Sequence, residues 1–325
     1  MSSSACPVCG SADRVLALVT IDRQFQRPRE HEVWRCRRCG LGQTLPPLPP
    51  ADLAAAYPEQ YACYHLQAQA GSGWRRRLAA SALRSRGYDQ PGALPLPLPL
   101  ARLLADLRCW TWCPPPPPPG RLLDVGCGSG AYGASLLALG WQVDGIEPDP
   151  AAADRARAAG LEVQTCSVDD AHLTPATYDV VTLWHVLEHL DDPVAVLKRL
   201  RLALAEGGLL IVEVPNWSGW VARWAGGTWF HLDLPRHRVH FTPASLRLAL
   251  ERGGFQIDSL RHIPNPHGFA GSLAYRRDRR LRWSRPVLAA GWLLGSVSAG
   301  RQGGDVIRAV GRRRQRQQRP RVFRL

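Results

Sequence analysis

Apolar residues fall in short, nearly continuous runs separated by stretches of helical spacing, the pattern of a buried parallel sheet wrapped by helices. Arg121 to Val125 (RLLDV) is apolar apart from its first residue and an aspartate, which predicts a buried strand, and helical spacing resumes from Tyr132 to Leu139. Further strands are expected at Gln142 to Glu147, Glu162 to Cys166, Tyr178 to Val186, Leu209 to Val214 and Phe255 to Ile263. Between them, Pro193 to Leu204 and Pro243 to Arg252 have helical spacing with proline in the first turn, and the second closes at Gly253 and Gly254. Strands alternating with helices predict an α/β fold.

Between the first strand and its helix the chain reads LLDVGCGSG, residues 122–130, with Gly126, Gly128 and Gly130 in the connecting turn. Glycine there admits positive φ and lets a ligand approach the backbone, while amides at the following helix N-terminus point towards it. Asp124 ends the strand, where its carboxylate can accept from a positively charged cofactor group. The spacing D-x-G-x-G-x-G is not the dinucleotide fingerprint G-x-G-x-x-G. The second strand ends in Glu147, 17 residues after Gly130, where one carboxylate can accept from both hydroxyls of a ribose. Val168 and Asp169, beyond the third strand, are placed to flank an adenine.

With these elements in this order, Arg121 to Ile263 resembles the class I S-adenosylmethionine-dependent methyltransferases. The resemblance implies a Rossmann-like, seven-stranded methyltransferase sheet. It implies S-adenosyl-L-methionine as cofactor, held by Asp124, Gly126, Gly128, Gly130, Glu147, Val168, Asp169 and His185. The seventh strand should run antiparallel beside the sixth, and Asp305 to Val310 is the candidate. Pro264 to Gly304 then forms a long insertion.

The cysteines add a second unit. Cys6-x-x-Cys9 and Cys36-x-x-Cys39, each followed by glycine, supply four soft ligands for one tetrahedral ion. They predict a small N-terminal zinc ribbon whose structural zinc provides most of its folding free energy. Cys63, Cys109, Cys113, Cys127 and Cys166 lack such pairing and read as ordinary thiols. Proline marks the boundaries: PPLPP at 46–50 closes the ribbon, and Leu94 to Leu100 and Pro114 to Pro119 flank a helical stretch, Ala101 to Trp112. The expected organisation is a ribbon (1–45), a proline-rich linker with a helical segment (46–100), a methyltransferase domain (101–312, with the insertion 264–304) and a basic tail (313–325). No apolar run approaches about 18 residues and Met1 to Ser11 lacks the features of a secretory signal, so a cytoplasmic protein is expected.

His185, Glu188 and His189 (WHVLEHL) follow the fourth strand, at the carboxyl ends where ligands bind in open α/β sheets. The segment resembles the HVLEHL stretch of a methyltransferase group that often carries a comparable cysteine ribbon and is similar to sugar C-methyltransferases. Histidine, with an ordinary pKa of about 6.5, suits a general base, which makes these three residues catalytic candidates. Alternatively His185 packs under the cofactor while Glu188 and His189 cap the next loop. Glu188 and His189 also offer two ligands to a divalent ion, too few for a site by themselves. A second cluster, FHLDLPRHRVHF at 230–241, gathers His231, Asp233, Arg236, His237 and His240 in a loop suited to acceptor recognition, with His237 a further catalytic candidate. Trp217, Trp220, Trp224 and Trp229 precede it, either as flat surfaces for a sugar ring or base or as anchors on the core.

The net charge of +14 is unevenly placed, because residues 276–325 hold 15 Arg against two Asp, or +13. The basicity belongs to the tail, which can bind nucleic acid by counterion release, lie on an anionic membrane surface beside PVLAAGWLLGSV, or remain solvated. The leading functional reading is an S-adenosylmethionine-dependent methyltransferase acting on a small molecule: a sugar, a nucleotide-sugar, or a polysaccharide or secondary-metabolite precursor. Two others compete with it: an RNA methyltransferase gripping RNA through ribbon and tail, and a non-catalytic cofactor-binding module recruited to partners. The sequence leaves the methylated atom and the oligomeric state open.

Overall fold

The computed structural model describes residues 5–58, 73–101, 114–277, 284–301 and 303–314. The chain opens with strands β1 (Arg14–Asp22), β2 (Arg27–Cys36) and β3 (Gly42–Leu45), followed by helices α1 (Pro50–Ala54) and α2 (Trp74–Arg84). The α/β part then runs β4 (Arg121–Val125), α3 (Ala131–Leu137), β5 (Gln142–Ile146), α4 (Pro150–Ala158), β6 (Glu162–Gln164), β7 (Tyr178–Trp184), α5 (Pro193–Ala203) and β8 (Leu204–Pro215). It continues through α6 (Trp220–Ala225), β9 (Val239–His240), α7 (Pro243–Arg252), β10 (Phe255–Ile263), α8 (Pro266–Arg276), α9 (Arg285–Gly300) and β11 (Val306–Arg313).

Seven strands form one sheet in the order β10-β11-β8-β7-β4-β5-β6. Neighbours from β8 to β6 pair in parallel, and β11 runs antiparallel to both β8 and β10. This is the Rossmann-like α/β sheet that the alternation of strands and helices leads to. Its centre is fully buried at Leu122, Leu123, Val181, Leu183, Leu210 and Val212, as expected where helices cover both faces. Local chemistry sets the helix starts: Asp149, Asp192 and Thr242 each accept a backbone amide at the N-cap, followed by proline.

Two boundaries differ from the sequence pattern by three residues or more. β8 begins at Leu204 rather than Leu209, because Glu206-Gly207-Gly208 reads as a turn yet is a register shift between Tyr178↔Leu204 and Val180↔Leu209. β11 extends to Arg313, so the first residue assigned to the basic tail lies in the sheet, its guanidinium donating to the Leu204 carbonyl. The rest of the tail from residue 315, the stretch 102–113, Cys63, Cys109 and Cys113 lie outside the described residues.

A second sheet, β1-β2-β3-β9, is antiparallel throughout and carries the ribbon. Its last strand comes from the α/β part, so the ribbon is built into the loop that follows β8. No helix among the described residues is long and apolar enough to cross a membrane.

Candidate active site

β4 ends at Val125 and the chain turns at once through Gly126, Gly128 and Gly130, with φ of 68°, 55° and 77°. A Cβ on Gly126 would lie 2.5 Å from Val186 Cγ2, and one on Gly130 would lie 2.8 Å from the Ala156 backbone. The turn therefore demands glycine on both counts. The amides of Gly126 and Cys127 donate to the Ile146 carbonyl and fix the turn to β5.

Two carboxylates are buried against this turn. Glu147 accepts from the amides of Gly128 (2.9 Å) and Asp149 (3.0 Å). Asp124 accepts from the Thr182 hydroxyl at 2.7 Å. Burial pushes the Asp124 carboxyl up to about 7, against the lowering effect of the Thr182 bond and with the Glu147 charge adding to the rise. Burial also raises Glu147. Among the described residues no cationic side chain forms an ion pair with either of them. Desolvated carboxylates without a cation, beside a glycine turn, fit a positively charged cofactor with hydroxyl groups. Val168 is buried and Asp169 exposed; the carbonyls of both accept from Arg199, a pin that the sequence pattern did not reveal.

Beyond β7, His185 has a left-handed backbone (φ 55°), a costly conformation for a residue with a Cβ. Its Nδ1 lies 3.2 Å from Glu188 Oε1 and its Nε2 lies 3.4 Å from Glu213 Oε1. Burial pulls its pKa down, but the hydrogen bonds and charges of the two carboxylates outweigh that and raise it to about 10. At neutral pH it keeps its proton, unlike a histidine near its ordinary value. Glu213 was not among the candidates: it sits in the apolar run LLIVEVP, and Arg308 grips it through Nε (2.7 Å) and Nη2 (2.6 Å). A lone carboxylate inside a buried strand was the available signal.

His231 stacks on His185 with ring centroids 6.0 Å apart, and its Nε2 lies 3.3 Å from Asp305 Oδ2. His189 and His237 meet edge-on at 4.6 Å. Burial, aided by His189 and His240, holds His237 neutral, well below its ordinary range. His185, Glu188, His189 and His237 thus come together. Trp229 is buried and donates to Asp305 at 2.9 Å, Trp217 packs on His240, and Trp220 and Trp224 pack on Phe269. These contacts anchor the loop.

Arg236 does not face an acceptor. It is wholly buried, forks onto Asp22 (2.9 and 3.1 Å), bonds Asp233 through Nε and Nη2 (3.0 and 2.6 Å) and donates to the Ala56 carbonyl. It ties the loop to β1. β3 completes the junction, pairing Gly42↔His240 and Gln43↔Val239, while the Thr44 hydroxyl donates to the His237 carbonyl at 2.7 Å. At the far end of the ribbon, Cys6 and Cys39 lie 3.6 Å apart and Cys9 and Cys36 3.4 Å apart. All four sulfurs lie within 4.8 Å of one another, which fits a tetrahedral ion with bonds of about 2.3 Å. Gly10 and Gly40 take positive φ and donate back to the carbonyls of Cys6 and Cys36, closing the two turns.

A methyltransferase domain model matches residues 97–273, just over half of the chain, and takes in the glycine turn, both buried carboxylates and both histidine clusters. The chain belongs to this methyltransferase domain family. Two ubiquinone biosynthesis O-methyltransferases, from Xanthomonas euvesicatoria pv. vesicatoria (strain 85-10) and Aeromonas salmonicida (strain A449), are each 31% identical to it, over 153 and 156 residues. The alignments cover 43% and 44% of this chain, which spans 64% and 66% of the length of those relatives. Among solved structures, the 1,6-didemethyltoxoflavin-N1-methyltransferase of Burkholderia thailandensis is similar at a TM-score of 0.45 and 16% identity, covering 88% of this chain and 96% of that one. The cysteine ribbon lies outside the segment matched to the methyltransferase domain.

Proposed function

We propose that the chain transfers a methyl group from S-adenosylmethionine to a hydroxyl of a small-molecule acceptor. The observation that carries this reading is the junction at Val186, whose side chain fills the space beside Gly126 one residue after His185. Through it the cofactor turn and the imidazole–carboxylate cluster adjoin. The bound cofactor supplies an electrophilic methyl carbon on a sulfonium. Asp124, Glu147 and Val168 would hold it. His185, held by two carboxylates, lines the acceptor site, and Glu188, His189 and His237 form the neighbourhood where the hydroxyl proton is taken up. Ordinary zinc binding at the four cysteines holds the ribbon, and the ribbon holds the loop.

The names of the relatives favour O-methylation. The density of imidazole and carboxylate groups favours an acceptor with several hydroxyls, such as a sugar or nucleotide-sugar. Because the ribbon is engaged in packing on the loop, a small acceptor is preferred over RNA. The test incubates zinc-loaded protein with methyl-labelled cofactor and separated pools of phenolic, sugar-nucleotide and RNA acceptors. Label on oxygen of a small molecule is expected; label confined to RNA would overturn the reading.

Two further outcomes follow from the buried carboxylates. Glu147→Ala should weaken cofactor binding by about 1–3 kcal/mol, the usual loss for charged hydrogen bonds, measured by calorimetric titration. Wild-type affinity would remove Glu147 from the site. Cofactor affinity should also rise roughly tenfold between about pH 6 and pH 8, because Asp124, with a pKa of about 7, binds a cation only once ionised. A flat profile across that window would separate Asp124 from the cationic group.

A further inference from the structure

Alternate residues of β8, β10 and β11 face one side of the sheet, where Leu209, Ile211, Ser259, Arg261, Arg308 and Val310 line a cavity of about 700 Å³. Trp292, Ser296 and Ala299 of α9 wall it on another side. That size, with a mostly apolar lining and a few polar groups, is what small-ligand sites have. The strand register sets the charges: Arg308 stands opposite Glu213 on β8 and opposite Arg261 on β10. Like charges facing each other across strands repel. One carboxylate serves this group, and Glu213 already divides its two oxygens between His185 and Arg308. Arg261 is exposed and forms no ion pair among the described residues. Positive charge is therefore left over at this end of the cavity. Arg312, four residues along β11, lines the cavity as well and is paired with Asp258 at 2.6 Å.

We propose that this cavity binds an organic phosphate carrying an apolar chain, at a site separate from the glycine turn and the histidine loop. Two neighbouring guanidiniums match the oxygens of a phosphate, which arginine engages through paired N–H bonds. Among the described residues no carboxylate lines the cavity, so an anion there meets attraction without a repelling neighbour. Leu209, Ile211 and Val310 give the chain an apolar bed along the strands, with Trp292 beside it. Inorganic phosphate would leave that bed unused, and an uncharged alcohol would leave Arg261 unmatched. Both halves of the ligand are therefore needed for tight binding.

The test is calorimetric titration of the full, zinc-loaded chain with octyl phosphate, kept at monomeric concentrations. One octyl phosphate per chain is expected, with octanol and inorganic phosphate each at least tenfold weaker. Arg261→Gln should weaken octyl phosphate at least tenfold by removing the unmatched charge. Ser296→Phe, which fills the cavity from α9 and leaves every charge in place, should do the same, while circular dichroism confirms that both variants fold. Vesicles of phosphatidylglycerol separate two sources of such a ligand. Co-sedimentation that octyl phosphate competes away and Arg261→Gln loses makes it a membrane lipid, whereas octyl phosphate binding without co-sedimentation makes it a soluble amphiphile. No binding by the wild type, octanol as tight as octyl phosphate, or full affinity in both variants would each overturn the site.

Discussion

Replacing Asp22 with alanine is expected to destabilise the protein by about 3–5 kcal/mol, the cost of removing one partner from a buried ion pair. Arg236 is fully inaccessible, and Asp22 receives both of its terminal nitrogens as well as the amides of Gln24 and Phe25. Asp233 remains in the variant, but it reaches the guanidinium with a single oxygen. The fork that matches a planar donor to a planar acceptor is lost with Asp22. Urea unfolding followed by tryptophan fluorescence measures the loss, and Asp22→Asn, which keeps one acceptor oxygen, should fall between the variant and the parent. A change below about 1 kcal/mol would mean that Arg236 is satisfied by Asp233 and the Ala56 carbonyl alone.

Removal of metal from the four-cysteine ribbon, by chelation or by Cys36→Ser, should disable catalysis although no cysteine of the ribbon touches the glycine turn. Structural zinc is worth about 10 kcal/mol or more to so small a unit, so the antiparallel β1-β2-β3 sheet should not survive its loss. β9 and the Thr44 bond to the His237 carbonyl go with it. A displacement of about 1 Å in a reacting group costs roughly 100-fold in rate, and methyl transfer should fall by at least that much while cofactor affinity changes little. Metal content by atomic emission, measured beside turnover, decides the matter. Full turnover in metal-free protein would show that the histidine loop stands unaided.

The strands and helices of the larger sheet were legible because their signal is local. Arg121–Val125, Pro243–Arg252 and Phe255–Ile263 each form as their apolar spacing and their glycine or proline boundaries dictate. Asp124, Glu147 and the three glycines were legible for a different reason: charge or glycine placed beside an apolar strand is a local conflict that usually has a purpose. What escaped the sequence is long-range. Arg236 reads as an acceptor-binding residue because its loop is rich in polar groups, and only the fold supplies Asp22 from more than 200 positions away. β9 is two residues long and has no period to detect. Glu213 gave a signal, a carboxylate in LLIVEVP, but its meaning depends on Arg308 and His185 arriving from other strands.

The borrowed strand has a consequence for how such chains diversify. A ribbon joined by a flexible tether could be exchanged between relatives as a cassette, carrying its specificity with it. Here the edge of the cassette runs through β9, so Gly42, against which the Trp217 ring and His240 pack closely, can change only in step with the loop it faces. Inheritance of the ribbon and inheritance of the histidine loop are therefore one event, and a chimera that cuts between them should fold as neither parent.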